Sequence, residues 1–150
     1  MRDESNESIA RDLITALEAK HIEQVLSCFS DGGVWIAPEG AFTGKAQMER
    51  YLSWQLGLGE DVKLTESGNG AVVEGDRAFL EYTFHYRLRG QHVEYTVLCA
   101  LELKDGKVAI ARSVYDRLSL EQKLAKSRIS RWAIDRILKE AEKGLRWARG

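Results

Sequence analysis

Apolar positions recur at helical spacing through the first sixty residues, then switch to alternation from Val62 onward. Ile9, Leu13, Ala16 and Leu17 predict a first helix over residues 4–19. Ile22, Val25, Leu26 and Phe29 fall at i, i+3, i+4 and i+7, the stripe of a short second helix beginning near His21. Asp31-Gly32-Gly33 then reads as a tight descent into a short apolar strand, Val34-Trp35-Ile36. Pro38 stops that strand, because proline cannot donate to a central ladder. A third helix starts at Gly44-Lys45 and carries Met48, Tyr51, Leu52 and Gln55 or Leu56 along one side, ending at Gly57-Leu58-Gly59. Four strands follow, over residues 62–74, 77–88, 91–103 and 107–117, separated by Gly75-Asp76, Arg89-Gly90 and Lys104-Asp105-Gly106. Gly68-Asn69-Gly70 interrupts the first of them and predicts a bulge or an extra turn.

The Arg89-Gly90 turn allows the pairing register to be written down. A two-residue loop sets Leu88 against Gln91, Tyr86 against Val93, Phe84 against Tyr95, Tyr82 against Val97 and Leu80 against Cys99. That face is almost wholly apolar and aromatic, so it turns inward. The other face pairs Arg87 with His92, His85 with Glu94, Thr83 with Thr96 and Glu81 with Leu98. A slip of one residue would exchange the faces, which commits the register. After the last strand, Ser119-Leu-Glu-Gln122 reads as a capping box for a short helix. A final helix over residues 127–148 sets Ile129, Trp132, Ala133, Ile137, Ala141, Leu145 and Ala148 opposite Arg128, Arg131, Asp135, Lys139, Glu142, Arg146 and Arg149.

Composition narrows the class. The chain has 150 residues, enough for one domain with a real core, and its 44% hydrophobic and 30% charged content suits a soluble globular protein. A net charge of −1 offers no general attraction to nucleic acid. Its distribution is uneven: residues 120–150 hold nine Lys or Arg against four Asp or Glu, a net +5, leaving −6 elsewhere. That basic helix is expected to pack on protein, with membrane or nucleic-acid contact as the weaker readings. The polar start MRDESNES lacks the features of a leader peptide, and no run approaches membrane-spanning length, so a cytoplasmic protein is expected. Cys28 and Cys99 sit among apolar residues and read as buried free thiols.

The order of elements through ALEAKHIEQVLSCFSDGGVWIAPEGAFTG (residues 16–44) resembles the opening of the nuclear transport factor 2-like superfamily. The stretch Tyr115-Asp-Arg-Leu-Ser-Leu-Glu-Gln-Lys-Leu124 is similar to the closing signature of its SnoaL-like branch, relatives of ketosteroid isomerase and limonene epoxide hydrolase. The resemblance implies an α+β cone: N-terminal helices packed into a curved, mainly antiparallel sheet around a pocket. Here a C-terminal amphipathic helix is added, giving a pocket domain over residues 1–126 and a helix over 127–150 that packs on the domain or on a partner subunit. The family also implies a homodimer, expected through the outer sheet face.

The resemblance does not carry over the isomerase's chemistry. Its base, just before the proline, falls on Ala37; its oxyanion-hole tyrosine falls on Leu13, and its protonated acid falls near Cys99 or Leu98. None can do that work. The epoxide hydrolase's last-strand acid matches Ser113, and residues 77–88 contain no Arg-x-Asp. Asp116 is the surviving acid at a strand end, with capping of the next helix as its competing role. Tyr82, Tyr86 and Tyr95 face inward as donors to a carbonyl or enolate, or as amphipathic core residues. Trp35 and Trp54 are walls for a flat apolar ligand, with Cys99, Ser113 and Tyr115 lining the same space. Glu39, after Pro38, reads as a solvated loop residue. His85, His92 and Glu94 share the outer face and can in principle hold zinc, but their spacing matches no established motif; a polar interface patch is the preferred reading, and no metal is expected. No phosphate-cradling loop, Ser-His-Asp order or Cys-His dyad is present, so no cofactor is implied. The expected function is binding or conversion of a small hydrophobic organic molecule by acid–base chemistry of a cyclase, isomerase or hydrolase kind. The alternative is a non-catalytic ligand-binding or dimerisation domain.

Overall fold

Left-handed backbone at both Arg89 (φ 51°) and Gly90 (φ 77°) makes the central turn a two-residue hairpin whose twist matches its flanking strands. The pairing that follows is the one expected, from Leu88↔Gln91 through Tyr86↔Val93, Phe84↔Tyr95 and Tyr82↔Val97 to Leu80↔Cys99. The computed structural model describes residues 2–142, and the chain divides after Tyr115 into two compact units.

In the first unit, helices α1 (Arg2–Glu18) and α2 (Ile22–Ser27) precede strands β1 (Phe29–Ala37) and β2 (Gly40–Thr43). Helix α3 (Gly44–Leu56) leads into strands β3 (Glu60–Glu74), β4 (Arg77–Leu88), β5 (Gln91–Lys104) and β6 (Lys107–Val114). The six strands form one curved sheet in the order β2-β1-β6-β5-β4-β3, antiparallel except where β1 runs parallel to β6. The N-terminal helices pack on this sheet, which is the α+β cone expected.

The core follows from the two periodicities. Ala78, Leu80, Tyr82, Phe84 and Tyr86 on β4 are buried, as are Val93, Val97, Cys99, Leu101 and Leu103 on β5. Helix α1 presents Ala10, Leu13, Ile14 and Leu17; Ile9 lies at the edge of that stripe, only partly covered. Helix α3 buries Met48, Tyr51, Leu52 and Gln55.

Three local expectations are corrected. Asp31-Gly32-Gly33 is part of β1, where the register against β6 shifts between Phe29 and Val34. Gly33 serves this irregular stretch: a Cβ there would lie 3.0 Å from the Ser30 carbonyl and 3.1 Å from the Phe29 ring. Pro38 stops the strand as expected, at Ala37, but Pro38-Glu39 is the tip of a hairpin rather than a plain loop: Ala37 pairs with Gly40, and β2 is too short to leave an alternation in the sequence. The last strand ends at Val114, not at residue 117, and the next helix is capped by Asp116 rather than Ser119. The bulge expected at Gly68-Asn69-Gly70 is present as a shift between Glu66↔Tyr82 and Ala71↔Leu80, with both glycines at positive φ.

The second unit contains α4 (Arg117–Leu124) and α5 (Arg128–Glu142). Asp116 Oδ1 accepts the Ser119 amide at 2.9 Å, an N-cap bond at the third helical residue. On α5, Ile129, Trp132 and Ile137 are exposed, and the Arg136 guanidinium lies 5.6 Å from the Trp132 ring centre. The expected continuation of this stripe through Leu145 and Ala148, and of its polar side through Arg146 and Arg149, lies outside the described residues.

Candidate functional site

Two side-chain clusters lie on the concave side of the first unit. The deeper one is built where β1, β6, β5 and β4 run side by side. Trp35 Nε1 donates to Ser113 Oγ at 2.9 Å, and Ser113 Oγ lies 3.5 Å from the Cys99 sulfur directly across the β5–β6 pair. The Tyr82 phenol also bonds to Ser113. Trp35, Tyr82, Cys99 and Ser113 are all buried. One serine hydroxyl therefore satisfies the polar atoms of three large neighbours in a dry interior.

Burial pushes the Cys99 thiol up to about 11, opposed by its hydrogen bonds to Ser113 and Arg112. At neutral pH it is a protonated thiol, unsuited to nucleophilic work. Burial likewise holds the Tyr82 phenol well above its ordinary range, with the nearby Cys99 adding to the effect. The unfolded chain ionises Cys99 near 9 and the folded chain near 11. The stability from keeping this thiol neutral is thus complete below about pH 9 and is lost as pH rises toward 11, at up to about 1.4 kcal/mol per pH unit. Urea midpoints measured at pH 8 and pH 10 are expected to fall between the two, and Cys99→Ala is expected to flatten part of that fall. An identical slope in the variant rules out the contribution of Cys99.

The second cluster lies nearer the surface and centres on Glu39. The Pro38-Glu39 tip carries this carboxylate toward α3 and the end of β6. Tyr115 donates its phenol proton to Glu39 Oε1, and the Tyr51 hydroxyl stands 3.5 Å from Oε2. Burial, then the Glu39 charge, raises the Tyr51 pKa, so this phenol remains a proton donor at any ordinary pH. The Tyr95 ring lies 5.1 Å from Tyr115 and stacks on Phe84 at 5.2 Å, and its hydroxyl bonds to Gln55. Burial, then the neighbouring Tyr86, raises the Tyr95 pKa too. The Tyr86 hydroxyl is buried and has no hydrogen-bond partner among the protein groups, and its ring meets Tyr95 edge-on at 6.2 Å.

Beside Glu39 opens a cleft of about 480 Å³, walled by Ala41, Phe42, Tyr51 and Trp54 with Arg50 and Gln47 at its polar side. Phe42 and Tyr51 stack at 4.2 Å, and Trp54 tilts against Tyr51 at 6.0 Å. An aromatic slot with one carboxylate, one phenol and one guanidinium is a setting for a flat apolar molecule bearing an oxygen function.

The expected site residues therefore separate. Trp35, Tyr82, Cys99 and Ser113 come together, but as a closed interior. Tyr95, Tyr86 and Tyr115 group around the second cluster, and Trp54 walls the cleft. Asp116 caps α4 in the second unit. Glu39 is corrected from a solvated loop residue to a half-buried acceptor of tyrosine hydroxyls, and Phe42, Arg50 and Tyr51 join it. The readable signal was the Pro38-Glu39-Gly40 turn, which projects the residue after the proline.

The SnoaL-like domain signature matches residues 10–111. Among curated proteins none matches the sequence. Among solved structures, TerC, crystallised with polyporic acid, is similar with a TM-score of 0.70 at 19% identity, covering 79% of this chain and 96% of its own. A candidate SnoaL-like polyketide cyclase from Jannaschia sp. CCS1 reaches 0.72 at 16%, covering 84% and 95%. An epoxide hydrolase of M. tuberculosis, of the LEH-like kind, reaches 0.63 at 16%, covering 77% and 86%. At such identities these likenesses speak for the fold, whereas the signature spans most of the first unit, with α2, α3 and five of its strands in full. The chain belongs to the SnoaL-like domain family.

Proposed function

We propose that this chain binds a small hydrophobic organic molecule in the Glu39 cleft and converts it by acid–base chemistry, without an organic cofactor. The observation that carries this reading is a carboxylate held by Tyr115 and Tyr51 on the wall of an aromatic slot. In the mechanism, Glu39 takes a proton from a carbon or water of the bound molecule. A tyrosine hydroxyl or Arg50 stabilises the oxygen on which negative charge develops. This chemistry suits a cyclase, isomerase or hydrolase. The neighbours support the class only broadly: one was crystallised with polyporic acid, and others are an epoxide hydrolase of the LEH-like kind and a candidate polyketide cyclase. A cytoplasmic setting fits this reading, and no described helix is long and apolar enough to cross a membrane.

Glu39 is preferred to Asp116 as the proton-transfer group, since Asp116 already accepts the Ser119 amide. Asp116→Asn is expected to leave turnover unchanged and to cost about 1 kcal/mol of stability or less, because Asn also caps well. A hundredfold slower Asp116→Asn enzyme would return the role to Asp116.

The test of the reading is native mass spectrometry of freshly purified protein, followed by fluorescence titration of the retained molecule. Trp54 lies half-exposed on the cleft wall, so a bound apolar ring is expected to change its emission, and Trp54→Ala is expected to weaken binding. A ligand that binds Trp54→Ala as tightly as the unaltered protein sinks this placement. The closed interior of Trp35, Phe84 and Cys99 favours the second reading, a non-catalytic ligand-binding or association domain. Ligand retention without turnover would select it.

The homodimer is proposed through the outer sheet face. Val72, Phe79 and Leu98 are exposed there, beside Thr83 and Thr96 whose hydroxyls lie 3.4 Å apart. Apolar side chains in a row on a sheet face are the kind that a second copy covers. Sedimentation equilibrium at micromolar concentration is expected to give twice the 17.0 kDa chain mass, and a monomer removes the proposal.

A further inference from the structure

The geometry points to a site for a divalent cation of the zinc type, formed by His85, His92 and Glu94 at the hairpin end of the outer sheet face. It is independent of the Glu39 cleft, which opens on the other side of the sheet. Register creates it: His85 on β4 stands opposite Glu94 on β5, while His92 stands opposite Arg87 two positions along. Alternation then puts all three side chains on one face. One ligand atom from each lies within 4.8 Å of the other two, and among the described residues no other group of His, Cys, Asp or Glu meets this condition.

His85 Nδ1 lies 3.4 Å from Glu94 Oε2, within ion-pair reach. Two ligands about 2.1 Å from one tetrahedral zinc stand roughly 3.4 Å apart, so this pair is already spaced as one edge of such a site. The other ring nitrogen is engaged as well: His85 Nε2 lies 2.9 Å from Thr65 Oγ1. In the tautomer whose Nε2–H donates to that hydroxyl, Nδ1 is the nitrogen left to bind a cation, and Thr65 gives the outer-shell support typical of a metal-bound histidine. The His92 ring lies 5.8 Å from that of His85, tilted by 25°. It is exposed, which leaves its ring room to turn.

Two cations stand beside the ligands in the strand register. Arg87 is held by Asp61 at 2.7 Å and so is drawn away from the ligands. Lys63, opposite His85 on β3, is exposed, and its long stem lets its ammonium stay in water. Two neutral imidazoles and one carboxylate suit zinc over magnesium, which prefers oxygen ligands and retains its waters. Three protein ligands leave a fourth position for water.

The experiment uses tag-free full-length chain, with Zn²⁺ titrated in competition with a chromophoric chelator. One zinc per chain is expected, unaffected by excess Mg²⁺. His92→Ala, His85→Ala and Glu94→Gln are each expected to weaken uptake about tenfold or more. His21→Ala, the third histidine of the chain, is expected to change nothing, because His21 lies at the start of α2 beside Gln24. Exposed His92 can be replaced without disturbing the core, so circular dichroism of that variant keeps the result interpretable. No uptake at free zinc well above micromolar overturns the site, as does equal affinity in His92→Ala and the unaltered chain.

Discussion

Glu39→Gln is expected to slow turnover by about a hundredfold or more while leaving the fold and ligand binding intact. Glutamine has the shape of glutamate and still accepts the Tyr115 hydroxyl through its amide oxygen, so the cleft keeps its geometry. What it loses is a site that takes up a proton. The readout is deuterium incorporation from D₂O into carbon acids of the size of the cleft, small aryl ketones first, and then into whatever molecule the purified protein retains. Tyr115→Phe is expected to give a smaller loss, since it removes the bond that aims the carboxylate but leaves the carboxylate itself. Exchange by Glu39→Gln at the unaltered rate would show that the Glu39 cleft is not where protons move. The binding-domain reading would then gain if the retained molecule still bound.

Trp35→Ala is expected to destabilise the chain by about 3–5 kcal/mol, the scale for truncating a large aromatic core residue. Trp35 is 1% exposed, stacks on Phe29 at 5.5 Å, meets Tyr51 at 6.1 Å and donates to Ser113. Losing it opens a cavity at the junction of β1, β6 and α3 and removes one of the bonds to the Ser113 hydroxyl. Against a total stability of about 5–15 kcal/mol, such a loss leaves a marginal fold. Ser113→Ala is expected to cost less, about 1–3 kcal/mol, because it keeps the packing and strands the indole N–H and the Tyr82 hydroxyl. Urea unfolding of both variants measures this. A Trp35→Ala loss below about 1 kcal/mol would mean that the interior repacks and that the deep cluster is not the rigid wall described.

The chemistry of this protein is carried by residues whose neighbours are distant in sequence. Glu39 illustrates it: Tyr51 is twelve positions away and Tyr115 is seventy-six. A carboxylate after a proline reads as a solvated turn unless a hairpin is known to fold it against α3, and the four-residue β2 leaves no alternation to announce that hairpin. The expected site residues divide by burial. Inward-facing tyrosines and Trp35 are correctly placed by period two, but periodicity does not say whether an inward side chain lines a space or fills it. Trp35, Tyr82, Cys99 and Ser113 fill it.

By itself, the amino-acid sequence determined the order of the helices and long strands, the inner and outer faces of β4 and β5, and their register to the residue. Those features follow from local periodicity and one two-residue turn, and a slipped register would have put a row of aromatic side chains in water. Tertiary structure alone decided the parallel pairing of β1 with β6, the bulge that absorbs Gly32 and Gly33, and the meeting of Glu39 with two phenols. It likewise decided which aromatic residues close the interior and which wall the cleft. The reason is that these depend on the curvature of the whole sheet and on contacts made across many tens of residues, where no local pattern in the chain records which side chains will touch.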